Sequence, residues 1–99
     1  MTEPSNDGVT LRLPAVLADL VGGRRSIVVT PAPRTVGELL DRVEADQPVV
    51  VRRIRDETGA LRRFVNVYVD GHDVRHLDGL ETALDTGATV HVLPSVAGG

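Results

Sequence analysis

The residues of this 99-residue chain best suited to chemistry are its last two, Gly98 and Gly99. Glycine has no Cβ, so a Gly-Gly backbone can enter a channel too narrow for any side chain and adopt conformations closed to other residues. The segment Ser95–Gly99, five residues long, can extend roughly 17 Å, enough to carry a terminal carboxylate from a domain surface into the buried active site of a second protein. That carboxylate, with an ordinary pKa of roughly 3.5, is ionised at neutral pH and is a poor acyl donor until it is activated. The plausible route is an acyl-adenylate made from ATP, followed by attack of a sulfur or amine nucleophile to give a thiocarboxylate or an amide at Gly99. The sequence contains neither GxGxxG nor GxxxxGK, the glycine loops that cradle nucleotide phosphates. Activation must then come from another protein, and the chain reads as a protein substrate rather than an enzyme.

Other reactive residue types give weaker signals. His72 and His76 flank Asp73, but a spacing of four makes ligands converge only on a helix. The neighbouring Asp70-Gly71 and Val74 predict a turn and a short strand instead, so no metal is expected. His91 lies between Val90 and Val92, which predicts an outward-facing, solvated side chain on a strand. Arg52, Arg53, Arg55, Arg62 and Arg63 bracket Asp56–Thr58; acidic residues stand among them, so a solvated charged loop is favoured over a basic patch. If Val65, Val67 and Val69 face a helix, then Phe64, Asn66 and Tyr68 line the opposite sheet face beside His91 and Leu93. Both aromatic residues of the chain would then stand on one surface. That surface, continued through Pro94, Ser95, Val96 and Ala97, is a candidate docking patch for an activating enzyme or acceptor; strand propensity alone explains the aromatics equally well.

The composition sharpens these readings through what is missing. There is no cysteine, which excludes disulfides, thiolate metal sites, iron–sulfur clusters and a cysteine nucleophile. There is no lysine either, all eleven basic residues being arginine, which excludes Schiff-base chemistry and any side-chain acceptor of an isopeptide bond. A net charge of −3 argues against nucleic-acid partners. The length fits one domain, and 41% hydrophobic with 25% charged residues fits a folded one. The polar start Met1–Gly8 has no signal-peptide pattern, and no run reaches the roughly 18 apolar residues of a membrane span, so a cytoplasmic location without membrane contact is expected. The reading divides the chain into a flexible amino-terminal tail (1–7), a domain (8–94) that is a monomer on its own, and a reactive flexible tail (95–99).

The elements that must position the terminus are partly legible. Val9–Leu13 alternates apolar and polar residues and ends at Pro14, and Ser26–Thr30 is rich in β-branched residues; the two predict an amino-terminal hairpin around Gly22-Gly23. Thr35-Val36-Gly37-Glu38 is a capping box, with the threonine taking the amide of the fourth residue and the glutamate reaching back to the cap. It opens an amphipathic helix carrying Val36, Leu39, Leu40 and Val43 on one face and limited by Pro48 at about Gln47. Phe64–Val69 is the clearest strand; Asp70-Gly71 predicts a tight hairpin turn into a short strand at His72–Arg75. Gly79–Leu84 reads as one helical or 3₁₀ turn, and Thr89–Pro94 as the last strand. The secondary structure of residues 15–24 and 49–63 is not set by the pattern: Val16–Val21 is short and loosely patterned, Val49–Ile54 admits either a short helical turn or an extended segment, and Asp56–Gly59 is a turn cluster. One main helix against a mixed four- to five-stranded sheet is an α+β arrangement in the order of the ubiquitin-like β-grasp fold, in which the first and last strands lie parallel at the centre of the sheet and the chain end leaves as a free tail.

On the residues Arg63–Arg75, Gly79-Leu80 and Leu93–Gly99, the chain resembles the MoaD/ThiS family of ubiquitin-like sulfur carriers, and within it the CysO type of cysteine biosynthesis. The resemblance implies adenylation of Gly99 by a ubiquitin-activating-like sulfurtransferase partner and conversion to a thiocarboxylate. It further implies sulfur transfer to a pyridoxal-phosphate cysteine synthase using O-phosphoserine, and release of the new cysteine by a zinc-dependent protease. ATP, pyridoxal phosphate and zinc would belong to those partners, with no cofactor bound here. The same tail and hairpin resemble molybdopterin-synthase small subunits, which act with a large subunit, and archaeal ubiquitin-like modifiers.

Overall fold

A computed structural model describes residues 7–94. The order is β1 (Val9–Arg12), α1 (Ala15–Ala18) running into a 3₁₀ turn at Asp19–Val21, β2 (Ser26–Val29), α2 (Val36–Asp46), α3 (Pro48–Ile54), β3 (Val65–Val69), β4 (His72–Asp73), 3₁₀ turns at Val74–His76 and Gly79–Glu81, and β5 (Thr89–Pro94). The five strands form one sheet in the order β2-β1-β5-β3-β4. β1 pairs with β2 antiparallel and with β5 parallel, and β3 is antiparallel to both β5 and β4. This is the β-grasp arrangement, with β5 between β1 and β3 and the amino-terminal hairpin as expected.

One face of the sheet is the core face. Alternation along each strand buries Val9, Leu11, Val67, Val69, Val90 and Val92, because successive side chains point to opposite sides of a strand. Against them α2 presents Val36, Leu39, Leu40 and Val43, four buried residues at helical spacing. Thr35 caps α2 by accepting the Glu38 amide at 3.1 Å. The reciprocal bond differs from expectation: Glu38 Oε1 accepts from the amide of Arg34, at 3.3 Å, one residue before the cap. Thr35 itself is bridged to Ala83, which ties the entry of α2 to the segment before β5.

Two helical segments go beyond the sequence reading. Ala15–Val21 is helical, with Leu17, Ala18 and Val21 turned inward. The main helix is followed at once by α3, whose first residue, Pro48, both stops α2 and starts the new helix, a position where its missing N–H costs nothing. Val50, Val51 and Ile54 of α3 are buried at 1% exposure or less. Two strand ends also shift. Phe64 lies in the turn before β3, and β4 stops at Asp73, where the chain tightens into a 3₁₀ turn with the Asp73 carboxylate accepting the Arg75 amide.

The turn at Asp70-Gly71 has φ of 48° and 90° at its two residues, the left-handed pair that matches strand twist in a tight hairpin. Asp70 is also held to β5, its Oδ1 accepting the Thr89 amide at 3.0 Å while its own amide donates to the Thr89 carbonyl at 2.9 Å. Gly8 is required for another reason: a Cβ there would run into the Val29 carbonyl and the Thr30 methyl.

Candidate functional site: the open sheet face and the exit of the last strand

β5 is the element that positions the chain end. It lies between a parallel and an antiparallel neighbour, its core-side Val90 and Val92 are buried, and it runs out of the sheet at Pro94. Ser95, Val96, Ala97, Gly98 and Gly99 lie outside the described residues, as does most of the expected tail 1–7; Asp7, its last residue, accepts the Ala32 amide through its carbonyl.

The face of β5 turned away from the helices carries His91 and Leu93, both exposed. The register builds a row across the whole sheet: Ser26 opposite Arg12, Arg12 beside His91, His91 opposite Tyr68, and Tyr68 opposite Asp73. Leu93 stands opposite Asn66, and Pro94 opposite Val65. Strand alternation therefore brings Tyr68, His91, Leu93 and Asn66 together on one surface. Phe64 is set differently. It lies ahead of β3, outside the alternation that places Tyr68, and lines a hollow with Leu61, Arg53, Arg63 and Arg75 while remaining 57% exposed. A second hollow of about 190 Å³ lies at the exit itself, lined by Pro14, Val16, Leu17, Arg53, Val65, Val92 and Pro94.

Arg75 organises this end, a role that no sequence pattern marks. From the 3₁₀ turn after β4 its guanidinium donates to Asn66 Oδ1 at 3.0 Å, to the Arg62 carbonyl at 3.0 Å and to the Val65 carbonyl at 2.8 Å, fixing the approach to β3 that holds Phe64. The charged loop is likewise tied. Arg55 bridges Asp41 at 2.5 Å and Glu44 at 2.8 Å. Burial disfavours its charge, but these hydrogen bonds and carboxylates outweigh that and hold its pKa above the ordinary arginine value. Asp56 Oδ1 accepts from the Thr58 hydroxyl and from the amides of Thr58 and Ala60, and these bonds, with Arg62 nearby, lower its pKa. His72 is in β4 and His76 ends the following 3₁₀ turn, so no helix face joins them; no group of three metal-ligating side chains occurs among the described residues. None of the described buried side-chain polar atoms lacks a hydrogen-bond partner.

A mixed sheet grasping α2, with a parallel central strand followed in sequence by a Gly-Gly end, is the architecture of the ubiquitin-like proteins. Comparisons with known proteins agree. The ThiS family model matches residues 11–99. The chain is 40% identical over 93 residues to the sulfur carrier protein CysO of Mycobacterium tuberculosis, covering 92% of this chain and 98% of that one. The crystal structure of that protein superposes with a TM-score of 0.80 at 37% identity, covering 89% of this chain and 99% of the other. CysO in the Amycolatopsis orientalis BexX/CysO complex gives 0.77 at 39% identity, over 92% and 99%. Small archaeal modifier protein 3 of Haloferax volcanii is 38% identical over 89 residues, covering 90% of this chain and 96% of that one. The chain belongs to the ThiS family and is a sulfur carrier protein of the CysO/ThiS/MoaD type, not an enzyme. No helix among the described residues is long and apolar enough to cross a membrane.

Proposed function

We propose that Gly99 carries sulfur as a thiocarboxylate for cysteine biosynthesis in the cytoplasm. The Gly99 carboxylate attacks the α-phosphorus of ATP in a ubiquitin-activating-like partner, and pyrophosphate leaves. A sulfide-level sulfur then attacks the acyl carbon and AMP departs with the bonding pair, leaving C(O)S⁻ at the chain end. The acceptor is a pyridoxal-phosphate cysteine synthase using O-phosphoserine, and a zinc-dependent protease frees the cysteine. ATP, pyridoxal phosphate and zinc reside in the partners. Gly98 gives passage through the partner's channel, Ser95–Ala97 form the approach, and Tyr68, His91 and Leu93 provide the docking face, with Phe64 at its margin and Pro94 contacting the partner from the Val92 side of the exit.

The observation that carries this reading is the 40% identity to CysO across nearly its whole length. That a related CysO is found in a complex with BexX supports a carrier that works by docking to partner proteins. Intact mass after incubation with ATP, sulfide and the adenylating enzyme of the same organism tests it: replacement of one oxygen by sulfur at the terminus is expected, and an unchanged mass sinks the proposal. The likeness to small archaeal modifier protein 3 favours a second reading, amide transfer to target lysines. It fails if no Gly-Gly remnant appears on any target after digestion.

A further inference from the structure

The arginines that follow α2 are interleaved with acidic residues in the sequence, but the fold sorts the charges. Asp41, Glu44 and Glu57 surround one hollow together with Arg52 and Arg55. A second hollow, of about 690 Å³, is lined by Arg53, Arg62, Arg63 and Arg75 against one carboxylate, Asp56. That carboxylate is occupied within its own turn, where Oδ1 accepts from Thr58 and Ala60. Arg62 and Arg75 are held in place, the first by its Nε bond to the Arg52 carbonyl at 2.6 Å, the second by its bonds to Asn66 and to the Arg62 and Val65 carbonyls. Arg53 and Arg63 are exposed and make no side-chain hydrogen bond or ion pair among the described residues. Arg34, Arg52 and Arg12, the last beside the exposed His91, make none either, but all three lie outside this hollow. Next to its cations are Phe64, the one phenylalanine of the chain and 57% exposed, and the half-buried Leu61. Strand propensity does not account for Phe64, because β3 starts at Val65. Arg75 links the hollow to the open sheet face through Asn66, which stands opposite Leu93.

We propose that this hollow is a second docking point, which takes an acidic segment of the activating partner: carboxylates pair with Arg53 and Arg63, and an apolar side chain between them rests on Phe64 and Leu61. The proposal rests on the reading in which the chain docks to a ubiquitin-activating-like enzyme. Charge complementarity selects the occupant. A guanidinium fork matches a planar carboxylate with two parallel bonds, and four arginines against one occupied carboxylate make this region positive on a chain whose net charge is −3. A long polyanion such as a nucleic acid would run on from the hollow over the acidic remainder of the surface, whereas a short acidic segment meets the cations alone. An inorganic anion would leave Phe64 and Leu61 without a contact. Arginine and aromatic side chains are also the residue types that carry most of the binding energy where proteins meet, and here both kinds line one hollow.

The test measures binding of the full chain to the adenylating enzyme of the same organism by titration calorimetry, for the native protein and for Arg53→Glu, Arg63→Glu and Phe64→Ser. Arg34→Glu is the control: it makes the same change in net charge at an exposed position before α2, away from the hollow. Thermal unfolding followed by circular dichroism establishes that each variant is folded. Each reversal, and Phe64→Ser, should weaken binding about tenfold, with the control unchanged. Lowering the salt from about 0.15 M to 0.01 M, which lengthens screening from about 8 to 30 Å, should tighten the native complex more than those of the two reversals. Reversals that bind as the native chain does, or a control that weakens as much as they do, overturn the proposal and leave the sulfur-carrier reading intact. Self-association of the native chain, or its binding of a single-stranded RNA, that is lost in Arg53→Glu gives the hollow another occupant and overturns the proposal as well. A native chain that does not bind the enzyme at all removes the underlying reading and the proposal with it.

Discussion

Arg24, Arg25, Arg42, Arg62 and Arg75 each donate from the guanidinium to backbone carbonyls, while Arg55 pairs with the carboxylates of Asp41 and Glu44. Arg42 reaches from α2 to the Pro31 and Thr30 carbonyls at 2.6 and 2.7 Å, Arg25 bonds the Leu13 carbonyl at 2.9 Å, and Arg75 holds three acceptors at once. A planar fork with several fixed donors can do this, whereas a lysine supplies one compact ammonium. The same economy governs Asp56, whose single oxygen Oδ1 gathers the Thr58 and Ala60 donors and closes the 56–60 turn. Those bonds, the Thr58 hydroxyl first, favour the carboxylate and depress its pKa. A depressed folded-state value means the turn's stabilisation is complete above the unfolded carboxylate pKa of about 3.9 and fades as pH falls through the lower folded value. Following the Thr58 amide resonance by NMR from about pH 6 downward should therefore give a midpoint below about 3.9; a midpoint at or above it would mean that the turn bonds do not persist in solution.

At the scale of elements, legibility in the sequence tracked how local the physics is. The capping residue Thr35, the stripe Val36, Leu39, Leu40 and Val43, the Asp70-Gly71 turn and the bounds of β5 all rest on neighbours within a few residues, and each is found as read. α3 was not legible because Pro48-Val49-Val50-Val51 combines a residue that ends helices with three that favour strands. What makes it helical is burial: Val50, Val51 and Ile54 fill the core beside α2, and tertiary packing overrides propensity. Phe64 was misplaced by one position because the strand start is set by the Arg75 clamp, thirteen residues from Arg62 along the chain. The candidate site was legible as a face, since Tyr68, His91 and Leu93 follow from alternation alone, but the Arg12–His91 pairing needs the parallel contact of β1 with β5. If α3 is a core element, Ile54→Ala should cost about 2–5 kcal/mol in urea unfolding, whereas Val49→Ala, at a position 49% exposed, should cost less than about 1 kcal/mol. Equal small losses at both positions would contradict the packing of α3.

Across the whole molecule the two faces of the sheet have separate duties. The helix-facing side holds the apolar cluster that fixes β5 in the centre, while the open side, from Ser26 through Arg12, His91 and Tyr68 to Asp73, is covered by no element among the described residues and leads along Leu93 to the exit. Under the proposed function, a partner that takes the chain end into an active site docks against this side. Tyr68 is half-buried and central in the row, the position at which a docking interface is most sensitive to truncation. Tyr68→Ser should raise the KM of the activating enzyme for the carrier about tenfold, equivalent to about 1.4 kcal/mol, with kcat much less affected because the tail and its carboxylate are unchanged. A charge reversal on the helix side, Glu44→Arg, should leave that KM unaltered, and thermal unfolding of both variants separates docking from stability. A KM that responds to Glu44→Arg and not to Tyr68→Ser would place the grip on the helices, and β5 would then deliver its terminus past a partner seated on the opposite side of the sheet.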